Sequence, residues 1–235
     1  VRGLMRSAAR LTYEQGQAAM DGRPDETTGP LVAPVIKPLY GAYAALDKDR
    51  RKRGTLELDL PERRVVLGED GTVERIDRRE RLDSHKLIEE FMIAANVAAA
   101  ETLELRRQPV MYRVHDQPDA AKVDALRESL KGLGLNLAKG QVLRPKMFTD
   151  LLVKVRGTSY AAMIHDLVLR TQAQAEYSPE NYGHFGLNLR RYAHFTSPIR
   201  RYADLIVHRG LIRALKLGDD GLPESVGLTA DGVAP

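Results

Sequence analysis

The chain has no cysteine and no tryptophan, and only 4 of its 235 residues are phenylalanine. Without a thiol there can be no disulfide framework, no thiolate nucleophile and no zinc–thiolate site. Long apolar runs are also missing, since patches such as MIAANVAAA fall well short of the ~20 residues that a membrane-spanning helix needs. The opening segment VRGLMRSAARL lacks the continuous apolar stretch of a signal peptide. We therefore expect a protein of the reducing cytoplasm with no membrane partner.

The overall composition is that of an ordinary globular protein with a small basic excess. Apolar residues make up 43% of the chain and charged residues 29%. The formal net charge is +4, which permits an acidic partner such as nucleic acid but does not by itself indicate one.

Stretches with helical spacing alternate along the chain with short stretches of strand-like alternation. The spacing predicts helices over residues 2–20, 31–50, 84–108, 119–134, 145–174 and 198–217. The run TLELDLPERRVVLGEDGTVERI predicts three short antiparallel strands, and VMYRVHD predicts another strand. These patterns indicate an α+β (mixed α/β) fold in one domain over residues 1–225, followed by a disordered tail over 226–235.

The stretch YAHFTSPIRRYADLIVHR carries several charged side chains on a helix that also has apolar residues. Its TSP tripeptide is typical of a helix start. In a helix from this start, Ile199 would lie on the apolar face, with Arg201 and Asp204 roughly opposite. Two interpretations stay open on spacing alone. Arg200 or Arg201 could pair with Asp204 within the helix, or either arginine could bind a phosphate through its planar fork.

The longer stretch HFGLNLRRYAHFTSPIRRYADLIVHRGL resembles the signature of the ribonuclease II / ribonuclease R family of exoribonucleases, whose catalytic domain is the RNB domain. RSAARLTYEQ, RGTLELDLPE, LIEEFMIAANVAAAE and PVMYRVHD resemble other elements of that family in the same order, and the ribonuclease R side resembles the chain more closely. The resemblance implies an RNB-type fold with several long helices around an RNA channel. It also implies that residues 1–225 lack the N-terminal part of the domain.

The activity implied by the resemblance is the processive hydrolysis of single-stranded RNA from its 3′ end, with Mg²⁺, to nucleoside 5′-monophosphates. In that scheme Arg200 is the catalytic residue at the scissile phosphate, and Arg201 is a further RNA-binding residue. Tyr13 would pack on the terminal base. Glu89 would contact the sugar of the 3′ nucleotide, with Glu90 as the alternative if the register differs by one. Without the resemblance, Tyr13 could simply be a core residue, and Glu89 could be a solvated helix acid or a cap partner.

The aspartate cluster that binds magnesium in this family, written D-x-D-D, does not occur in the sequence. We therefore expect no metal ligand within this chain, and Mg²⁺ is an expectation from the resemblance alone. Other acidic residues occur in contexts unlike the cluster: Asp47, Asp49, Asp116, Asp166, Asp219 and Asp220. The expected partner is single-stranded RNA, bound by a monomer.

Two other functions are compatible with parts of the sequence. A chain that lacks the aspartate cluster could bind single-stranded RNA without cutting it. A metal phosphohydrolase of the HD type could instead use the pairs His115-Asp116 and His165-Asp166 as ligands, although no two of the six histidines are four residues apart.

Overall fold

The protein is described by a computed structural model that covers residues 3–58, 63–68, 70–78 and 80–221. These residues form seven α-helices, four short β-strands, a 3₁₀ turn at Gly29–Leu31 and a π-helical turn at Val32–Ile36. The helices are α1 (Tyr13–Met20), α2 (Lys37–Arg53), α3 (Asp83–Leu105), α4 (Ala120–Lys131), α5 (Pro145–Lys154), α6 (Ala161–Thr171) and α7 (Tyr202–Leu215). The strands are β1 (Arg63–Leu67), β2 (Val73–Arg78), β3 (Tyr112–Val114) and β4 (Glu176–Ser178). The predicted α+β class is confirmed, and the predicted tail over 226–235 lies outside the described residues.

The described residues fall into two compact units. The larger unit comprises residues 3–4, 49–58 and 92–221, and the smaller unit comprises the described residues of 5–48 and 63–91. Helix α3 contributes to both units, because the division falls between Phe91 and Met92.

The larger unit has two apolar clusters. In the first, the C-terminal part of α3 packs with β3 and α7, and Leu103, Val114 and Val207 are almost completely buried. Helices α4, α5 and α6 form the second cluster around Phe148 and Ile164. Strands β3 and β4 pair antiparallel beside the first cluster. The first cluster therefore supports the chain that leads from β4 into α7.

In the smaller unit, a polar side chain of α1 binds the start of α3. The Oε1 atom of Gln17 accepts the backbone N–H of Ser84 at 3.1 Å and the hydroxyl of Tyr40 at 3.3 Å. Strands β1 and β2 form an antiparallel hairpin with a register shift between Val66 and Leu67. Helix α3 begins at Asp83, one residue before the predicted start at residue 84.

Several element boundaries differ from the prediction. Helix α1 begins at Tyr13 rather than at residue 2, because the side chains of Thr12 and Gln15 form a capping box that defines the start. Residues 55–58 are not a strand, and 59–62 lie outside the described residues, so the predicted three-stranded arrangement reduces to the β1–β2 hairpin in the part that the structure describes. Helix α7 begins at Tyr202 rather than at Pro198.

Candidate functional site

The segment before α7 is fastened by a carboxylate that has no exposed surface. Both oxygens of Asp204 accept hydrogen bonds from Arg201, with Nε to Oδ2 at 2.7 Å and Nη2 to Oδ1 at 2.8 Å. The backbone N–H of Ser197 donates to Oδ1 at 2.7 Å. Burial by itself would raise the pKa of Asp204, but the bonds from Arg201 and Ser197 outweigh it and lower the pKa. Asp204 is therefore a buried, ionised anchor.

Residues 197–201 form a turn rather than the first turn of a helix. The carbonyl of Ser197 accepts the backbone N–H groups of Arg200 at 3.3 Å and of Arg201 at 3.2 Å. Ile199, expected on the apolar face of a helix, is fully exposed in this turn. The expected opposition of Asp204 to the apolar face is also wrong, since Asp204 is buried along with Ala203 and Val207.

The two adjacent arginines have different environments. Arg201 forms the ion pair with Asp204, and 21% of its side chain is exposed. Arg200 is exposed and makes no ion pair with any residue that the structure describes. The Arg–Asp pair that the spacing allowed is therefore present, and it leaves the neighbouring guanidinium of Arg200 open to solvent.

A second buried polar side chain holds the other end of the same segment. Asn96 in α3 accepts the backbone N–H of Phe195 through Oδ1 at 2.9 Å and donates from Nδ2 to the hydroxyl of Tyr192 at 2.9 Å. Sequence reasoning missed Asn96, although an asparagine within the apolar run MIAANVAAA is a usable signal. A buried amide inside a core helix needs partners, and here those partners belong to the segment that carries Arg200.

His194 lies between Tyr192 and Phe195, the two residues that Asn96 binds, in an environment that disfavours its charged form. Its Nδ1 is 2.8 Å from the hydroxyl of Tyr177. Burial first, and then the nearby guanidinium of Arg201, lowers the pKa of His194 to about 4. Arg113 lies over the ring of Tyr177, 4.7 Å from its centroid. The positive charges of Arg201, Arg113 and Arg200 all oppose protonation of the His194 ring.

The two His-Asp pairs do not form a metal site. Nδ1 of His115 accepts the backbone N–H of Gly186 at 3.0 Å, and its Nε2 lies 3.0 Å from the carbonyl of Ala173. Both ring nitrogens are therefore occupied by the backbone. Asp166 pairs with Arg170 at 2.8 Å on the surface of α6. These contacts argue against the HD-type phosphohydrolase.

The residues that the structure describes contain no group of three or more His, Asp or Glu side chains arranged to hold a metal ion. The buried carboxylate of Asp204 is committed to Arg201 and Ser197. The donor set in these residues therefore does not fit a magnesium site of the carboxylate type.

In the smaller unit, Tyr13 begins α1 and stacks on a histidine. The rings of Tyr13 and His85 are 4.1 Å apart and inclined by 21°. Tyr13 remains 39% exposed, so it is not the core residue that one interpretation allowed. Sequence patterns did not indicate His85 as its partner, because the two residues are distant along the chain.

Glu89 lies one helical turn beyond His85 in α3, so the two residues share one helix face. Tyr13 stacks on the His85 ring. The Oε2 atom of Glu89 accepts a hydrogen bond from Nη2 of Arg81, and the side chain remains 36% exposed. Glu90, the alternative residue, is buried. Exposure therefore favours Glu89 over Glu90 as a residue that can meet a ligand.

Comparisons with known proteins agree on one family. The RNB domain profile matches residues 1–217. The chain is 41% identical to Ribonuclease R of Escherichia coli (strain K12) over 210 residues, which are 88% of this chain and 26% of that protein. It is 42% identical to Ribonuclease R of Aquifex aeolicus (strain VF5) over 214 residues, which are 91% of this chain and 30% of that protein.

The fold is similar to that of a solved ribonuclease. RNase R of Mycoplasma genitalium, in complex with ribose methylated single-stranded RNA, superposes with a TM-score of 0.77 and 27% identity over 88% of this chain and 33% of that chain. The chain spans less than a third of the length of the two curated relatives named above. In the part of the chain that the structure describes, no helix combines the length and apolar character needed to cross a bilayer.

Proposed function

The chain belongs to the RNB domain family, and we propose that it acts on single-stranded RNA as a 3′-to-5′ exoribonuclease. The proposal includes processive hydrolysis to nucleoside 5′-monophosphates by a monomer in the cytoplasm. Support comes from the Ribonuclease R relatives and from the RNA-bound structure of the Mycoplasma protein. The absence of cysteine is compatible with a reducing compartment.

The observation that carries the proposal is the open guanidinium of Arg200. The turn that bears it is held at Ser197 and Arg201, and no acidic side chain among the described residues pairs with Arg200. An arginine held in this way can offer its planar fork to a phosphate oxygen and stabilise charge there as a bond breaks. Arg200 is the proposed catalytic residue. Arg201 is the proposed second RNA contact, through the N–H groups that Asp204 does not use.

The proposed contacts to the 3′ nucleotide lie in the smaller unit. Tyr13 has one ring face on His85 and remains 39% exposed, which leaves surface for a base to stack. Glu89, partly exposed one helical turn beyond His85 on α3, is the proposed contact to the sugar, because a carboxylate accepts hydrogen bonds from ribose hydroxyls.

Magnesium is part of the proposal for the hydrolytic reaction in this family. The described residues do not supply its ligands, so we assign no step of this chain to the metal. This same observation favours a second candidate function, in which the chain binds single-stranded RNA without cutting it.

One experiment separates the two candidates. The chain is incubated with 5′-labelled single-stranded RNA, with magnesium or with a chelator, and is examined on denaturing and native gels. Magnesium-dependent shortening from the 3′ end supports the exoribonuclease. A native-gel shift without shortening supports the binding function, and the absence of both effects contradicts both candidates.

The role of Arg200 is tested with Arg200→Ala, and Arg190→Ala is the matched control. Arg190 is another exposed arginine of the larger unit, ten residues earlier. Where turnover is measurable, Arg200→Ala is expected to reduce it far more than RNA affinity, because a charge-stabilising contact acts mostly in the transition state. Equal losses of turnover and affinity would make Arg200 only a docking residue.

A further inference from the structure

The turn that carries Arg200 has an unusual attachment: both of its flanks bind the same buried carboxylate. On one side the backbone N–H of Ser197 donates to Oδ1 of Asp204, and on the other side the guanidinium of Arg201 donates to both oxygens. Arg200 lies between these attachments, and its own backbone N–H bonds to the Ser197 carbonyl. We propose that Asp204 is a positioning residue, which orients Arg200 for a phosphate by fixing the turn from both ends.

This inference rests on the proposed RNA contact of Arg200. Asp204 has no exposed surface, so it cannot itself touch RNA in this conformation. A flexible arginine on a free turn loses side-chain and backbone entropy each time it binds a ligand. When the turn is already ordered in the folded protein, that entropy is lost on folding and not on binding. Arg200 therefore binds a phosphate more tightly.

The Arg201–Asp204 ion pair also gives the two adjacent arginines different roles. Arg201 places its fork on Asp204 in a bidentate geometry that lysine cannot reproduce. Asp204 already accepts three hydrogen bonds from Arg201 and Ser197, and Arg200 makes no ion pair with any described residue. Replacing either Asp204 or Arg201 should therefore weaken the RNA contact of Arg200, although the Arg200 side chain is still present.

The test is a double-mutant cycle on RNA affinity at low salt, with the complete chain and a labelled single-stranded RNA. Four proteins are compared: the unchanged chain, Arg200→Ala, Asp204→Asn and the double variant. In the unchanged background we expect Arg200→Ala to weaken binding by roughly fivefold, the size of one exposed charge-assisted contact. In the Asp204→Asn background the same change should have little effect, which is a coupling that approaches roughly fivefold.

Two further variants keep the test decisive. Asp166→Asn removes the carboxylate of another helical Asp–Arg pair, which is exposed on α6, and should leave the effect of Arg200→Ala unchanged. Arg201→Lys keeps the charge but loses the fork, and should reproduce the coupling of Asp204→Asn. Arg201→Lys also takes the place of Asp204→Asn in the cycle if circular dichroism shows that the Asp204→Asn protein is unfolded at the assay temperature.

Each outcome has a distinct meaning. Additive losses in folded variants would overturn the positioning role and leave the RNA contact of Arg200 intact, since a purely structural role lowers stability without coupling to Arg200. An unchanged chain that does not bind RNA would overturn the proposed RNA contact and this inference with it. An Arg200→Ala variant that binds RNA as well as the unchanged chain would overturn this inference, because Asp204 would then have no binding contact of Arg200 to position.

Discussion

At the scale of single residues, the local environment separates side chains that look alike in the sequence. Arg200 and Arg201 are neighbours with the same chemistry, yet one is exposed and the other is bound to Asp204. Glu89 and Glu90 differ in the same way, because adjacent residues of a helix point about 100° apart and only Glu90 is buried. Burial therefore decides between Glu89 and Glu90, whereas the ion pair with Asp204 distinguishes Arg201 from the open Arg200.

Tyr13 gives a prediction at this scale. Replacing it with alanine should weaken the binding of single-stranded RNA by about 1–3 kcal/mol, the usual contribution of one aromatic stacking contact. Tyr13→Phe should bind almost normally, because the ring and not the hydroxyl stacks. Tyr182→Ala is the control, since Tyr182 has a similar exposure of 44% in the larger unit. Equal losses for the two alanine variants, measured by fluorescence anisotropy, would exclude a specific stack on Tyr13.

His184 predicts a pH dependence of stability. Burial, then the neighbouring His115 and Arg113, lowers its pKa from 6.5 to about 3. Because the unfolded chain takes up a proton below about pH 6.5 and the folded chain does not, stability is lost as the pH falls from there toward 3. At pH 5 this one group should cost at most about 2 kcal/mol relative to pH 7.

The control for this prediction is His184→Asn, which cannot titrate and whose Oδ1 can accept the backbone N–H of Leu187 in place of Nδ1. Urea unfolding across this pH range should show a shallower loss of stability in the variant than in the unchanged chain. Parallel pH profiles for the two proteins would show that His184 does not carry the effect.

At the scale of elements, sequence patterns located helices better than they located helix ends. Helices α3 and α4 were predicted close to their observed bounds, because an apolar stripe at helical spacing defines them. The start of α7 was wrong by four residues, since TSP is compatible with a helix start and also with a turn. The carboxylate of Asp204 decides between them by bonding the Ser197 N–H from further along the chain.

The turn after β4 gives a prediction at this scale. Gly183 and Gly157 have almost the same backbone, with φ of +81° and +82°, in the region that favours glycine. A Cβ on Gly183 would lie 3.0 Å from the carbonyl oxygen of Leu189, whereas a Cβ on Gly157 would meet no atom within 4 Å. Gly157→Ala should therefore cost about 1 kcal/mol from the backbone alone, and Gly183→Ala should cost a further ~1–3 kcal/mol from overpacking.

Urea unfolding of both alanine variants measures this difference directly, because the backbone contribution is common to the two sites. If Gly157→Ala destabilised the protein as much as Gly183→Ala, the close approach of the Leu189 carbonyl would have no energetic consequence.

At the scale of the whole molecule, the net charge of +4 is small, so RNA binding should depend on a few placed cations rather than on bulk charge. The logarithm of the RNA association constant should fall linearly with the logarithm of the salt concentration, with a slope of about −0.7 for each phosphate contact. Arg200→Ala should make this slope shallower by about 0.7. Tyr13→Ala should weaken binding without changing the slope, because stacking releases no counterions.

A salt titration of the unchanged chain and the two variants checks this prediction. The Arg190→Ala protein serves as the charge-matched control, and its slope should equal that of the unchanged chain. An equal change of slope in Arg190→Ala and Arg200→Ala would show that the two arginines contribute only to general electrostatic attraction.

The sequence by itself determined the α+β class, the absence of thiol chemistry and the family, because these depend on composition, periodicity and the order of long motifs. Only the tertiary structure decided which arginine remains open. Arg200 and Arg201 both stand at helical spacings from Asp204, so local geometry cannot choose between them. The choice follows from the turn before α7, in which Asp204 binds Arg201 and the backbone N–H of Ser197. It also follows from the packing of Ala203 and Val207, which flank this carboxylate on α7, with α3 and β3 residues far away in the chain.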